Sequence, residues 1–198
     1  HLGLAYTYGD GGEASCENLR EAVSELLYGI PINEYVVTNR SSLPYLNDLV
    51  GGVTVTVPNS DLAADYPEFQ EGAAVTLTNE NIETFLRSRD TGEDFSNEGR
   101  MERQRAFMTA YTEQFKDLAM EDLNGLWNQM EEMEDYVQTS ITKNKYLDLA
   151  GTLEQVSFTP DNYCTPAGED QLGELHDEFH VDEDALLEQV ISLFYEEI

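Results

Sequence analysis

The sequence predicts an α/β fold: an α/β/α layered domain with a mixed central sheet flanked by helices. Three observations predict it. Apolar residues recur at helical spacing in several stretches, short β-branched runs lie between them, and neither a repeat nor a low-complexity linker divides the chain. With 198 residues and 40% hydrophobic content, the chain can build one domain with a core, or at most two small ones.

The elements follow in order. From Glu13 to Tyr28, Leu19, Ala22, Val23, Leu26 and Leu27 recur at helical spacing, and Gly29 with Pro31 ends the pattern. Residues 35–39 (YVVTN) read as a strand, SLPYLNDLV as a short helix closed by Gly51 and Gly52, and GVTVTVP as a second strand, from its alternation and β-branched content. After a polar loop, Thr78 is the expected cap of a helix reaching about Arg87, with Ile82, Phe85 and Leu86 inward. A helix from about Glu98 carries Met101, Gln104, Met108, Tyr111, Phe115 and Leu118 on one face, and a third helix is expected from Met120 to Ile141. QVSFTP (155–160) reads as a further strand, TPDNYCTPAGEDQLGE as a loop, and the C-terminal stretch as a helix capped by Asp182.

Composition excludes several functions. Forty acidic residues against ten basic ones give a formal charge of −30, which argues against whole-surface binding to nucleic acid or to an anionic membrane. No apolar run is long enough to cross a bilayer. The chain starts at His1 without a methionine, which reads as a trimmed or partial sequence and leaves an upstream anchor open. Cys16 and Cys164 match no metal-ligand spacing and read either as one disulfide or as two thiols. His176 and His180 lie at helical spacing amid acids, where solvated surface outweighs a metal site.

One segment breaks the acidic pattern. FLRSRDTGEDFSNEGRMERQR (85–105) holds Arg87, Arg89, Arg100, Arg103 and Arg105, half of all the basic residues. Arginine presents a planar fork of donors suited to two oxygens of a phosphate or carboxylate. At helical spacing Arg100 and Gln104 are one turn apart with Arg103 beside them, a polar mouth on an apolar groove. Two readings stand: an oriented anion site, or arginines paired with the abundant surface carboxylates, which contribute little.

Arg87-x-Arg89 followed by Gly99-Arg100-x-x-Arg103-Gln104 resembles the arginine signature of the LytR-CpsA-Psr family of cell-envelope proteins. HLGLAYTYGDGG, GIPINEYVVTN, LNDLVGGVTVTVP and the ending HVDEDALLEQVISLFYEE are similar to family stretches in the same order. The resemblance implies that residues 1–118 are the C-terminal part of the catalytic domain, with 119–198 a helical and strand extension packed on it. It implies a phosphotransferase on the extracytoplasmic face of a Gram-positive-type cell membrane, moving a polyprenyl-pyrophosphate-linked glycopolymer onto peptidoglycan, usually with Mg²⁺. By position, Arg87, Arg89, Arg100 and Gln104 bind the pyrophosphate and the apolar groove holds the prenyl tail. Arg103 and Asn97 match motif positions with less defined roles, and Asn97 stands where many members have aspartate. Tyr6 and Tyr8 line the ligand mouth or pack in the core.

The departures shape the expectation. The family's metal-holding and acceptor-assisting aspartates lie upstream of the stretch matching His1, so the resemblance leaves the catalytic residues unassigned and no metal ligand in this chain. Activity is expected of the full-length protein, with membrane attachment through an absent N-terminal anchor. The alternative is a non-catalytic module that binds polyprenyl phosphate or an envelope glycan.

Overall fold

A computed structural model describes residues 2–89, 97–153, 155–159, 162–173 and 177–195. Among these the fold is α/β, helices packed on short strands that pair two by two. The chain forms two compact units, one from residues 1–37, 138–141 and 164–198, the other from 38–137 and 142–163.

The first unit begins with α1 (Leu2–Thr7), a helix not anticipated from the sequence, and α2 (Glu13–Leu26). α2 closes when Tyr28 and Gly29 turn left-handed (φ 55° and 83°), and Gly29 N–H reaches back to the Ser24 carbonyl at 2.8 Å. The expected helix is thus two residues shorter, because the chain reverses before Tyr28. In the same unit β5 (Gly168–Leu172) and β6 (Asp177–Val181) form an antiparallel hairpin where a loop was expected. His180 lies on β6, exposed and 3.3 Å from the Glu178 carboxylate, so the helical spacing read from His176 and His180 does not hold; His176 lies outside the described residues. α8 (Glu183–Phe194) starts as predicted, the Asp182 carboxylate accepting from Ala185 N–H at 3.0 Å. Cys16 is buried, its thiol donating to Gln138 Oε1, and Cys164 is exposed; both are free.

The second unit holds the larger core. The chain passes from the first unit to the second within β1 (Val36–Thr38), a short 3-10 turn leads on to α3 (Leu43–Leu49), and β2 (Thr54–Thr56) pairs antiparallel with β3 (Ala74–Thr76) in the register Val55 opposite Val75. Period-two alternation is realised on β2, where Val53, Val55 and Val57 are buried and Thr54 and Thr56 face solvent. Asn47 on α3 ties this hairpin down: its amide donates to the Leu77 carbonyl and its oxygen accepts from Val53 N–H. Behind the valines pack Phe69, Ile82, Phe85 and Phe107.

Three expectations change here. α4 (Ile82–Arg87) follows Asn81, and Thr78 acts through its backbone carbonyl while its N–H donates to Asn81 Oδ1, so Thr78 builds the preceding turn and does not cap the helix with its side chain. α5 (Asn97–Glu121) is as long as predicted, but the expected third helix is cut short: α6 (Leu123–Glu131) starts at the Asp122 cap, and Val137–Thr139 becomes strand β4, paired with β1. The β-branched Val137 and Thr139 fit a pleat better than a helix. Residues 155–159 form no strand; Phe158 N–H donates to Glu113 and the Val156 carbonyl accepts from Lys116, so side chains of α5 hold this stretch irregular. α7 (Lys143–Leu153), absent from the sequence reading, packs Tyr146 against Trp127 of α6 at 5.1 Å between ring centroids.

Candidate functional site

The arginine segment is the junction of α4 and α5. A helix end leaves carbonyls without partners, and α5 supplies donors for those of α4. Arg103 donates from Nε to the Phe85 carbonyl at 2.9 Å and from Nη2 to the Ser88 carbonyl, while Gln104 donates to the Leu86 carbonyl at 3.0 Å. Positive charge at a helix C-terminus is also favoured by the helix dipole.

The other side of Arg103 is anchored in the loop before β3. Its Nη1 lies 3.1 Å from both Asn59 Oδ1 and Asp61 Oδ2. Asn59 in turn donates to the Gly99 carbonyl and to Glu102. A Cβ at Gly99 would stand 1.7 Å from Asp61 Oδ2, so any side chain there would push the Asp61 carboxylate away from its place beside Arg103. With 1% of its surface exposed and four of its five donors used internally, Arg103 positions the junction. Burial pushes its pKa down, and the Asp61 carboxylate partly offsets that.

The remaining arginines are placed differently. Arg87 and Arg89 are exposed at the end of α4, and Arg100 is half-buried on the first turn described for α5. Arg87 lies 3.7 Å from Glu83. Neither Arg89 nor Arg100 takes part in an ion pair among the described residues. Arg100 Nη2 donates to Asn97 Oδ1 at 2.5 Å, and its buried Nε has no partner. Burial pushes the Arg100 pKa down, and the positive fields of Arg89, Arg103 and Arg87 push it further. Arg87, Arg89 and Arg103 are thus the charges that act most on Arg100, and Arg87 is the one of the three exposed or half-buried arginines with a carboxylate, Glu83, beside it among the described residues.

The expected apolar face of α5 divides. Tyr111, Phe115 and Leu118 pack on the core, whereas Met101 and Met108 are exposed, with Gln104 between them in sequence. Asn97 Nδ2 contacts Met101 Sδ at 3.3 Å. Tyr6 and Tyr8 belong to the other compact unit; the Tyr6 hydroxyl donates to the Gly11 carbonyl, and Tyr8 is 83% exposed. Asn59 and Asp61 are site residues that sequence reasoning missed. They sit in a polar loop, and no periodicity marks them out.

Mg²⁺ would need hard oxygen ligands. Among the described residues no group of three or more His, Cys, Asp or Glu side chains is placed to hold a metal ion.

No curated protein matches the sequence. Solved structures do match in fold. Lin1025 from Listeria innocua has a TM-score of 0.68 at 23% identity, over 98% of this chain and 76% of that one. TagU from B. subtilis has 0.67 at 18%, over 100% and 78%, and TagT bound to LIIa-WTA has 0.68 at 18%, over 96% and 69%. The model of the LytR_cpsA_psr family matches residues 2–176. With its arginine signature gathered at the α4–α5 junction, the chain belongs to the LytR_cpsA_psr family.

Proposed function

We propose that this chain carries the pyrophosphate-binding part of a cell-envelope phosphotransferase that moves a polyprenyl-pyrophosphate-linked glycopolymer onto peptidoglycan. The observation that carries this reading is Arg100, half-buried, oriented by Asn97, with an unpartnered Nε and two exposed arginines in its field. A diphosphate with two to three negative charges matches such a cluster, its paired oxygens suiting the planar forks of the arginines. Family membership and the fold shared with TagT bound to LIIa-WTA support the substrate class. They also support an extracytoplasmic, membrane-attached protein of a Gram-positive-type cell; among the described residues no helix is long and apolar enough to cross a membrane.

In the transfer, an acceptor hydroxyl oxygen attacks the glycan-bearing phosphorus. A new phosphoester forms, the phosphoanhydride breaks, polyprenyl phosphate leaves, and the hydroxyl proton passes to a base outside the residues assigned here. Arg87, Arg89 and Arg100 bind the two phosphates and stabilise the charge that grows on the leaving one. Asn97 orients Arg100, while Arg103 and Gln104 hold the backbone from which Arg87 and Arg89 project. Met101 and Met108 offer the prenyl chain an adaptable apolar surface.

Titration calorimetry with farnesyl pyrophosphate, farnesyl phosphate and farnesol tests the reading. The pyrophosphate is expected to bind tightest, with Arg100→Ala and Arg89→Ala each weakening it about tenfold or more at unchanged melting temperature. Equal affinity for pyrophosphate and alcohol overturns it. Binding without transfer by the full-length protein assigns the non-catalytic alternative.

A further inference from the structure

A separate cavity of about 460 Å³ opens in the second unit, lined by Arg40, Ser41, Tyr45, Asp48, Asn79, Glu83 and Tyr136 among others. Its size suits a small-molecule site, which typically spans about 300–1,000 Å³. Two kinds of surface meet in it. Tyr45 and Tyr136 stack with ring centroids 4.4 Å apart, and their hydroxyls hydrogen-bond at 3.1 Å. Beside them stand exposed planar polar side chains in pairs: Asn79 donates to Asp48 Oδ2 at 2.9 Å, and Arg40 Nε lies 3.5 Å from Glu83 Oε1.

The charges decide which ligand class fits. An anion arriving here meets the Asp48 and Glu83 carboxylates, and a cation meets the Arg40 guanidinium, with Arg87 also 3.7 Å from Glu83. A purely apolar ligand would strip water from five polar side chains, Arg40, Ser41, Asp48, Asn79 and Glu83, and give no hydrogen bond in return. A neutral polyhydroxylated ring has neither fault. Its weakly positive C–H face suits the negative face of a tyrosine ring, and its hydroxyls both donate and accept, as the Arg, Asp, Asn, Ser and Glu groups require.

We propose that the Tyr45–Tyr136 cavity is a saccharide-binding site that takes a neutral pyranose unit. It goes beyond the pyrophosphate reading and does not depend on it. Glu83 touches both the cavity arginine Arg40 and the cluster arginine Arg87. A sugar held here therefore lies one carboxylate away from Arg87, whichever glycan supplies it.

Saturation-transfer NMR with cellobiose and N,N′-diacetylchitobiose, on the chain as it stands, tests the proposal. At least one disaccharide is expected to bind at millimolar affinity, weakened about tenfold by Tyr45→Ala and by Asn79→Ala, and unchanged by Arg100→Ala. Melting curves identify any variant that fails to fold, and Asn79→Ala then carries the comparison. Absence of binding by both sugars at tens of millimolar overturns the proposal. So does Tyr45-dependent binding of tetramethylammonium in their place, which would make the cavity a cation site. UDP-N-acetylglucosamine and free N-acetylglucosamine distinguish the sources. Tighter, Arg100-dependent binding of the diphosphate-linked sugar points to a glycan carried on the pyrophosphate, an arm that rests on the proposed function; equal affinities point to a separate glycan, and both results require the sugar to occupy the cavity.

Discussion

The guanidinium of Arg103, 1% exposed, lies 3.1 Å from the half-exposed carboxylate of Asp61 and joins the loop before β3 to the end of α4. This pair gives the arginine segment its shape. Without Arg103 the half-exposed Asp61 carboxylate can rehydrate, but the Phe85 and Ser88 carbonyls and Asn59 Oδ1 lose this donor. Arg103→Met is therefore expected to destabilise the protein by about 1–3 kcal/mol in urea unfolding. Arg103→Lys should rescue little, because an ammonium on a flexible stem cannot meet acceptors on both sides.

Gly99 is coupled to the same pair. A Cβ at 99 would displace Asp61 from its position 3.1 Å from Arg103, so Gly99→Ala should cost about 1–3 kcal/mol. In the double variant Gly99→Ala/Asp61→Ala the clash disappears. Its cost should fall below the sum of the single ones, which a double-mutant cycle by chemical denaturation measures.

Asn97 sets how much charge Arg100 offers. Its neutral amide oxygen accepts from Arg100 at 2.5 Å, and Asn97→Asp would replace it with a carboxylate. Two opposite effects should follow: weaker farnesyl pyrophosphate binding, by about five- to tenfold, and a small gain in melting temperature from an acid in the first turn of α5. Calorimetry and thermal unfolding on one preparation check both signs.

Tyr111 gives a pH signature. Burial pushes its pKa up to about 12, above the ordinary tyrosine value, so the neutral form is favoured by the fold. The stability it contributes is fully present below pH 10 and is lost as pH rises from about 10 to 12. Tyr111→Phe should flatten that part of the stability curve relative to wild type, as read by denaturant midpoints across the range.

Asn47 serves two backbone groups with one buried side chain. Asn47→Ala leaves the Leu77 carbonyl and the Val53 N–H without those partners and should cost about 2–4 kcal/mol in urea unfolding, with no change in farnesyl pyrophosphate affinity per folded molecule.

Local patterns determined much of this protein. Helical spacing placed α2, α5 and α8, the Asp182 cap started α8, and alternation identified β2 with its buried valines, because each signal is carried by neighbouring residues and survives any packing. The excess of arginine in 85–105 was also legible, since composition needs no fold. Tertiary structure decided what each arginine does. Arg100 and Arg103 are the same residue type, three apart on one helix, yet one faces the cluster and the other is sealed against Asn59 and Asp61 some forty positions away. The strand β4 and the stacked Tyr45–Tyr136 pair were hidden for the same reason: their partners are distant in sequence, and only the folded chain brings them within reach. The hairpin β5–β6 pairs near neighbours, but its exposed, polar first strand carries no apolar alternation to mark it.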